Sequence, residues 1–298
     1  MADERITGIL LPIWNKQEPW FRFNQKFKHR MVAKTKPWRL EPDDRKTPVH
    51  NLASTRDSLI AVTPEAIVIG SPVGKSNVST GKTSLLLVPG PLMLLGAFVY
   101  ALFIGGEFYI VSVIPLVGFV LTGIIQTWFL KSWLCAPKDW PTIFNRKDRT
   151  VTYAPVRRPR FWKFWDLKVP MDFRTESWAD LRVRSYKYVE GTTGGASFHD
   201  SYQLMLLWGG LDGRERELKD VISIGYIGYI EDEMLWMLWE HIRQYMEEGG
   251  PAIRRGEKLR HRESGKPIVY PSAVLRAAGG APLSEKEVEQ LAAAAPAS

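Results

Sequence analysis

The sequence predicts an α+β membrane protein in which a two-helix transmembrane hairpin is joined to a cytosolic antiparallel β domain closed by a C-terminal helix. Three observations carry that expectation. Between Lys82 and Lys131 the only charged residue is Glu107. Beyond residue 138, short segments rich in Val, Ile, Thr and Tyr alternate with turn-forming residues. An amphipathic stretch then opens on Asp232 and Glu233 and stops at Gly249, Gly250 and Pro251.

Glu107 divides two uncharged stretches, residues 83–106 and 108–130, of 24 and 23 residues. A helix crossing a hydrocarbon core of roughly 30 Å takes about 20 apolar residues, and buried helices of soluble domains rarely run so long without a charge. Gly105, Gly106 and Glu107 form the expected turn, because glycine permits the reversal and a carboxylate prefers water. Prolines bound the first helix in two ways. A start at Pro91 leaves about 15 residues before the turn, short for a crossing, whereas a start near Ser84 requires a kink. Pro115 falls near the start of the second helix. Gly96, Ala97, Gly118 and Gly123 are small enough to let helices approach closely, first within the hairpin itself. Lys82, Trp128, Lys131 and Trp133 are the expected anchors at the membrane interface.

Basic residues flank both spans, from Arg22 to Lys46 before them and from Lys131 to Arg149 after them, so both termini are expected on the cytosolic side of the membrane. The net charge of +8 and pI near 9.5 suit anionic lipid rather than nucleic acid when the basic residues lie beside a bilayer. Cys135, the single cysteine, excludes an intramolecular disulfide and reads as an inert thiol. No basic leader followed by a short apolar run and a cleavage site opens the chain, so no cleaved signal is expected. The chain divides into an N-terminal region (1–82), the hairpin (83–132), the β domain (138–249) and a basic, Ala-rich, largely disordered tail (250–298).

In the N-terminal region, Trp20, Phe23, Phe27 and Met31 have the spacing of one helical face, with cations elsewhere. Residues 58–70 read as two short strands around Pro64 and Glu65. After the hairpin, residues 142–145 and 150–153 flank a four-residue turn, residues 181–189 form a further strand, and residues 202–208 pair with 221–229 across a turn at 209–213. The glycine-rich 191–197 is a loop. A curved antiparallel sheet capped by the 232–248 helix is the plan of pleckstrin-homology-like domains. Trp178, Trp236 and Trp239 are expected in its core, whereas Trp162 and Trp165 lie in a basic aromatic run.

Catalytic patterns fail on spacing. Residues 76–83 lack the first glycine of a phosphate loop, and residues 70–76 are one residue too short. His29, His50, His199, His241 and His261 are scattered without metal-ligand spacing, so no metal or cofactor is expected. His199, Asp200 and Ser201 are adjacent, whereas a hydrolase triad is assembled from distant segments. No enzyme activity is expected. Glu240, Arg243 and Glu247 on the closing helix read as a solvated face with local ion pairs and as a candidate partner face.

The run Trp239, Glu240, His241, Ile242, Arg243, Gln244, Tyr245, Met246, Glu247, Glu248, Gly249, with Ile143, Phe144, Asn145 and Arg146, resembles an uncharacterised family of proteobacterial two-pass inner-membrane proteins. Its members are encoded near type VI secretion effectors, especially large pore-forming ones. The resemblance covers residues 50–252 in layout. It implies an accessory or immunity role, with a cognate secreted effector and membrane lipids as partners; self-association is also compatible with it. The alternative expectation is a membrane-tethered adaptor that binds lipid headgroups or a cytosolic partner.

Overall fold

The computed structural model describes residues 8–15, 21–22, 35–71, 88–105, 110–135, 137–155, 171–191, 198–212, 215–228, 232–261 and 266–296. Their order is β1 (Phe21–Arg22), β2 (Arg39–Leu40), β3 (Leu59–Val62), β4 (Ala66–Ile69), α1 (Pro89–Gly105), α2 (Ile110–Leu134), β5 (Thr142–Asn145), β6 (Thr150–Tyr153), β7 (Arg174–Ser177), β8 (Leu181–Gly191), β9 (Phe198–Asp212), β10 (Glu215–Gly228), α3 (Asp232–Glu247), α4 (Ser272–Ala277) and α5 (Glu285–Ala294).

The strands form two five-stranded sheets. One is an antiparallel meander, β3-β4-β5-β6-β7. The other runs β1-β10-β9-β8-β2 and is antiparallel except for the two-residue parallel pairing of β1 with β10. The first sheet joins what the sequence divides. β4 belongs to the region before the apolar helices and β5 to the region after them, yet they pair from Ala66↔Asn145 to Ile69↔Thr142. The helices are thus inserted into a β-hairpin, and the expected boundary between an N-terminal region and a β domain disappears. The early strands supply apolar residues that the later ones need: Leu59, Val62, Ile67 and Ile69 share one core with Phe144, Leu204, Trp208 and Trp239.

α3 closes that core. Asp232 and Glu233 sit at the positive end of its dipole. At the other end Gly249 takes a positive φ of 69°, which turns the chain out of the helix, and the Gly250 N–H donates back to the Gln244 carbonyl. Trp236, Trp239, Ile242 and Tyr245 are buried, as are Trp178 between β7 and β8 and Trp208 on β9. Phe144 meets Trp178 edge-on with centroids 6.1 Å apart, Trp178 lies 5.4 Å from Trp239, and Tyr153 stacks on Trp208 at 4.8 Å. Such pairs add about 0.5–1.5 kcal/mol each beyond area burial.

Several expectations change. The tail is not wholly disordered. Ile253 is buried, α5 is opened by a Ser284/Glu287 capping box, and Val288 and Ala292 complete the core. Gly209, Gly210, Leu211 and Asp212 are strand rather than turn, because β9 stays paired with β10 as far as Asp212↔Glu215. Phe21 and Arg22 are extended beside β10, so the helical reading of 20–31 fails at its start; residues 23–31 lie outside the described residues, as do 156–170 with Trp162 and Trp165, and the loop 192–197. The two short hairpins, the 181–189 strand and the closing helix lie where the alternation places them.

The core arrangement makes Trp239→Ala costly. Truncating a buried indole is expected to destabilise by about 3–5 kcal/mol, read as a lowered urea midpoint in detergent solution. His241 supplies a pH-dependent contribution. It is fully buried, with Nε2 3.2 Å from the Ala252 carbonyl and no partner at Nδ1. Burial pushes its pKa down to about 4. The neutral ring therefore stabilises the fold fully above pH 6.5, and that contribution is lost progressively as pH falls from 6.5 towards 4, where only the unfolded chain takes up the proton. The stability difference between the wild type and His241→Gln is expected to vary across that window and to be flat above it.

Candidate functional site

The feature most distinctive of this chain is the pair of apolar helices and the seam by which they enter the β unit. α2 holds the stretch Val113–Lys131, long and apolar enough to cross a membrane, in which Lys131 alone is fully buried. It is the only such helix among the described residues. α1 has 17 residues, about 26 Å at 1.5 Å per residue, and its apolar stretch Pro89–Tyr100 is shorter than a full span. Among the described residues the helix begins at Pro89, between the two expected starts at Pro91 and near Ser84, and both prolines fall in its first turn, where proline needs no N–H partner. Pro115 lies in the second turn of α2 and removes one helical bond there. Thr122 and Thr127 return their hydroxyls to the Gly118 and Gly123 carbonyls at 2.7 and 2.8 Å, which satisfies both without water.

α1 and α2 pack against each other. A Cβ on Gly118 would come within 3.3 Å of Leu94 Cδ1, so Gly118 sits on the shared seam. Gly96 and Gly123 do not: a Cβ on either meets nothing within 4 Å, and Ala97 is exposed. Leu92, Met93, Tyr100, Phe103, Ile114 and Leu121 also face outward. Trp128 and Trp133 are half-buried at the end of α2, with Trp128 edge-on to Phe129. Lys131 is buried among protein groups instead of standing free as an anchor. Of the turn, Gly105 ends α1, whereas Gly106 and Glu107 lie outside the described residues, as does Lys82.

Where the helices meet the sheet, three distant segments converge. Asp139, after α2, accepts from the Ser71 N–H at 3.0 Å and the Trp140 N–H at 2.8 Å through Oδ1. Its Oδ2 lies 2.8 Å from Arg260 Nη2, and both side chains are buried. Arg260 also donates from Nη2 to the Ser71 carbonyl at 3.1 Å and from its backbone N–H to Leu59 at 2.7 Å. The strand leaving for the helices, the strand returning from them and the C-terminal segment are thereby tied at one point. Gly70 suits this point, since a Cβ would lie 2.7 Å from Asp139 Oδ2 and 2.8 Å from Arg260 Nη1 and would displace the buried pair. Burial raises the Asp139 pKa to about 6 against the pull of Arg260. Lys138 adds a bond from its N–H to the Lys266 carbonyl at 2.8 Å.

The expected partner face on α3 is not a solvated face. Glu240 and Arg243 are 1% and 2% exposed. Glu240 accepts from the Val49 N–H at 2.9 Å and from Arg243 and Gln244, while Arg243 Nη1 reaches the carbonyls of Arg45 and Lys46 at 3.2 Å. The pair fastens the N-terminal segment to the closing helix. Glu247 lies at the far end, where burial opposes its ionisation but hydrogen bonds from Trp178 and Arg149 outweigh it and hold its carboxyl below the usual range. The helical period places all three on one side; it does not reveal that residues 45–49 cover that side.

A cleft of about 570 Å³ opens between the N-terminal segment and β8, walled by Leu10, Trp14, Pro42 and Pro48 over Glu41 and Arg182. Glu41 accepts from the Val183 N–H at 3.1 Å, and burial raises its pKa to about 7 against Arg45 and Arg182. The cleft holds no nucleophile paired with a base. Among the described residues no group of His, Cys, Asp and Glu has metal-site geometry. His199, Asp200 and Ser201 follow one another along β9, so their side chains alternate between its faces and do not converge. No family model, no curated protein and no solved structure matches this chain.

The Asp139–Arg260 pair generates a sharp expectation. Removing one member leaves the other charge buried, so Arg260→Leu should cost about 3–5 kcal/mol. In thermal unfolding in detergent, the double variant Asp139→Asn, Arg260→Leu is expected to lose clearly less than the sum of the single losses.

Proposed function

We propose that this chain is a membrane-anchored interaction protein whose α1–α2 pair lies in the bilayer as a two-pass hairpin, with both flanks and the β unit in the bacterial cytosol. One observation carries the reading: outward-facing apolar helices are inserted, through a buried seam, into a β-hairpin of a well-packed unit. An uncovered apolar surface of that size costs too much in water to be kept for packing alone. The short first helix is accommodated by local thinning of the bilayer. The β unit, two five-stranded sheets closed by α3 where one curved sheet was expected, serves as the soluble contact surface.

Within this class, protection against a membrane-active secreted toxin is the specific role we favour, supported by the resemblance of residues 239–249 and by the outward position of Gly96 and Ala97. A pore former must bring its helices together inside the inner membrane. A resident helix pair with small outward residues can pack against them there, since close packing drives association in lipid. The adaptor reading, in which the β unit recruits a lipid headgroup or cytosolic partner, draws its support from the 570 Å³ cleft. No catalytic step is assigned to the chain.

Two outcomes test this. A reporter active only outside the cytosol should be active when fused at Glu107 and silent after Gly249; silence at Glu107 with protein present contradicts the hairpin. Because Ile69 and Thr142 are paired neighbours, replacing residues 72–136 with a short Gly-Ser turn should yield a folded, water-soluble β unit. In cells producing a membrane-active secreted toxin against which the intact chain protects, that unit should fail to protect. Full protection by the soluble unit transfers the activity to the β surface and favours the adaptor reading.

A further inference from the structure

The C-terminal segment crosses the chain where α2 ends. The apolar stretch closes at Lys131, α2 itself at Leu134, and Pro137 follows shortly after. There the chain meets Lys266: Pro137 and Lys266 form a parallel bridge, and the Lys138 N–H donates to the Lys266 carbonyl at 2.8 Å. At 1.5 Å per residue to Leu134 and at most 3.8 Å per residue beyond it, Pro137 stands no more than about 16 Å from the end of the apolar stretch. A headgroup layer occupies roughly 5–8 Å of that distance, and the long flexible stem of a lysine carries its ammonium back across part of the rest.

The segment is held at both ends. Beyond Lys266, Tyr270 packs on Phe173 with ring centroids 6.1 Å apart, and with Val274 it covers the small apolar cluster of Ala61, Val68 and Ile143 on the meander. Between the two ties Lys266 and Pro267 are exposed and Val269 is 79% exposed. Pro267 and Pro271 hold the backbone extended there. Lys138, half-exposed, and Lys266, exposed, thus come from segments remote in sequence to bonded backbone positions beside the end of the span. The nearest acidic residues in sequence do not cancel them. Asp139 is buried against Arg260 and two backbone donors, and Asp172, next to Phe173, is offset by Arg174.

Resting on the reading of α1 and α2 as membrane-inserted, we propose that Lys138 and Lys266 form a binding surface for anionic phospholipid at the end of α2, their ammonium groups meeting the phosphate of a headgroup such as phosphatidylglycerol. Charge and depth select this occupant. At headgroup depth the negative charge offered to an exposed lysine is lipid phosphate, and each cation near an anionic bilayer surface is favoured about fivefold. A zwitterionic headgroup presents its phosphate together with a cation and gains less. The contact sets the C-terminal segment, and through Arg260 the seam, against the bilayer.

The test uses full-length protein in phosphatidylcholine nanodiscs, in a Cys135→Ser background, with bimane on Val269→Cys. Val117→Cys, exposed on α2, reports the helix, and Lys286→Cys, exposed on α5, reports solvent. A minor share of the lipid carries a nitroxide high on its acyl chain and is either phosphatidylglycerol or phosphatidylcholine. Label at 269 is expected to be quenched well above label at 286, and several-fold more by the labelled phosphatidylglycerol. Lys138→Gln with Lys266→Gln, which keeps the main-chain bond, should bring that preference close to one, and arginine at both positions should retain it. In the unsubstituted protein, high salt should narrow it. Label at 269 behaving like that at 286, while 117 is quenched by a deep nitroxide, overturns the lipid contact and leaves the helix reading intact. Equal quenching at 269 by the two lipids, or a preference that survives both glutamines or high salt, overturns the assignment to these lysines. No quenching at 117 removes the membrane reading and this contact with it.

Discussion

The antiparallel pairing of β4 with β5 is the interaction on which the rest depends. Four residues on each side join across the whole helical insertion, and the loss of that ladder would separate Leu59, Val62, Ile67 and Ile69 from the core they share with α3. Closing so long a connection is less costly than its length suggests, because loop entropy grows only as the logarithm of length. The helices shorten the effective connection further by packing on each other and returning the chain to its starting edge. The Asp139–Arg260 contact then holds both ends of the insertion and recruits the C-terminal segment to the same point.

Buried charge is used at seams throughout. Asp139 with Arg260 joins the insertion to the tail, Asp232 with Arg39 joins α3 to β2, and Glu240 with Arg243 joins α3 to residues 45–49. Replacing such pairs by apolar residues is often neutral or stabilising, so their use here is better explained by register than by stability. Each pair accepts or donates additional backbone bonds, and these are satisfied in only one arrangement of segments remote in sequence.

The parts legible in sequence were those with a local signal. The uncharged stretches, the Ser58 to Gly70 strands, the Arg146–Arg149 turn and the Gly249 helix stop each follow from spacing or backbone chemistry. What escaped depends on contacts between distant segments. Glu240 and Arg243 have the composition of an exposed face, and only residues 45–49 lying over them make them buried. The tail was masked by its basic run, although Ser284 and Glu287 carried a capping-box signal. Asp139 and Arg260 gave no signal, because nothing local distinguishes a charge beside an apolar helix from one clamped under it. Gly96 and Gly123 are alike in sequence to Gly118, yet only Gly118 meets the facing helix.

The functional account joins these parts: an anchored pair of helices, small residues facing outward from it, and a rigid β unit held at the bilayer by the seam. Its central claim is that α2 lies in hydrocarbon. The direct measurement is spin-label accessibility along Val113–Lys131 in nanodiscs, residue by residue, to oxygen and to a water-soluble nickel chelate. The account predicts high oxygen accessibility rising and falling with a period of about 3.6 residues as the label faces lipid or α1, with nickel excluded from the central positions. Nickel accessibility at the central outward positions, equal to that at exposed positions on α5, would contradict it.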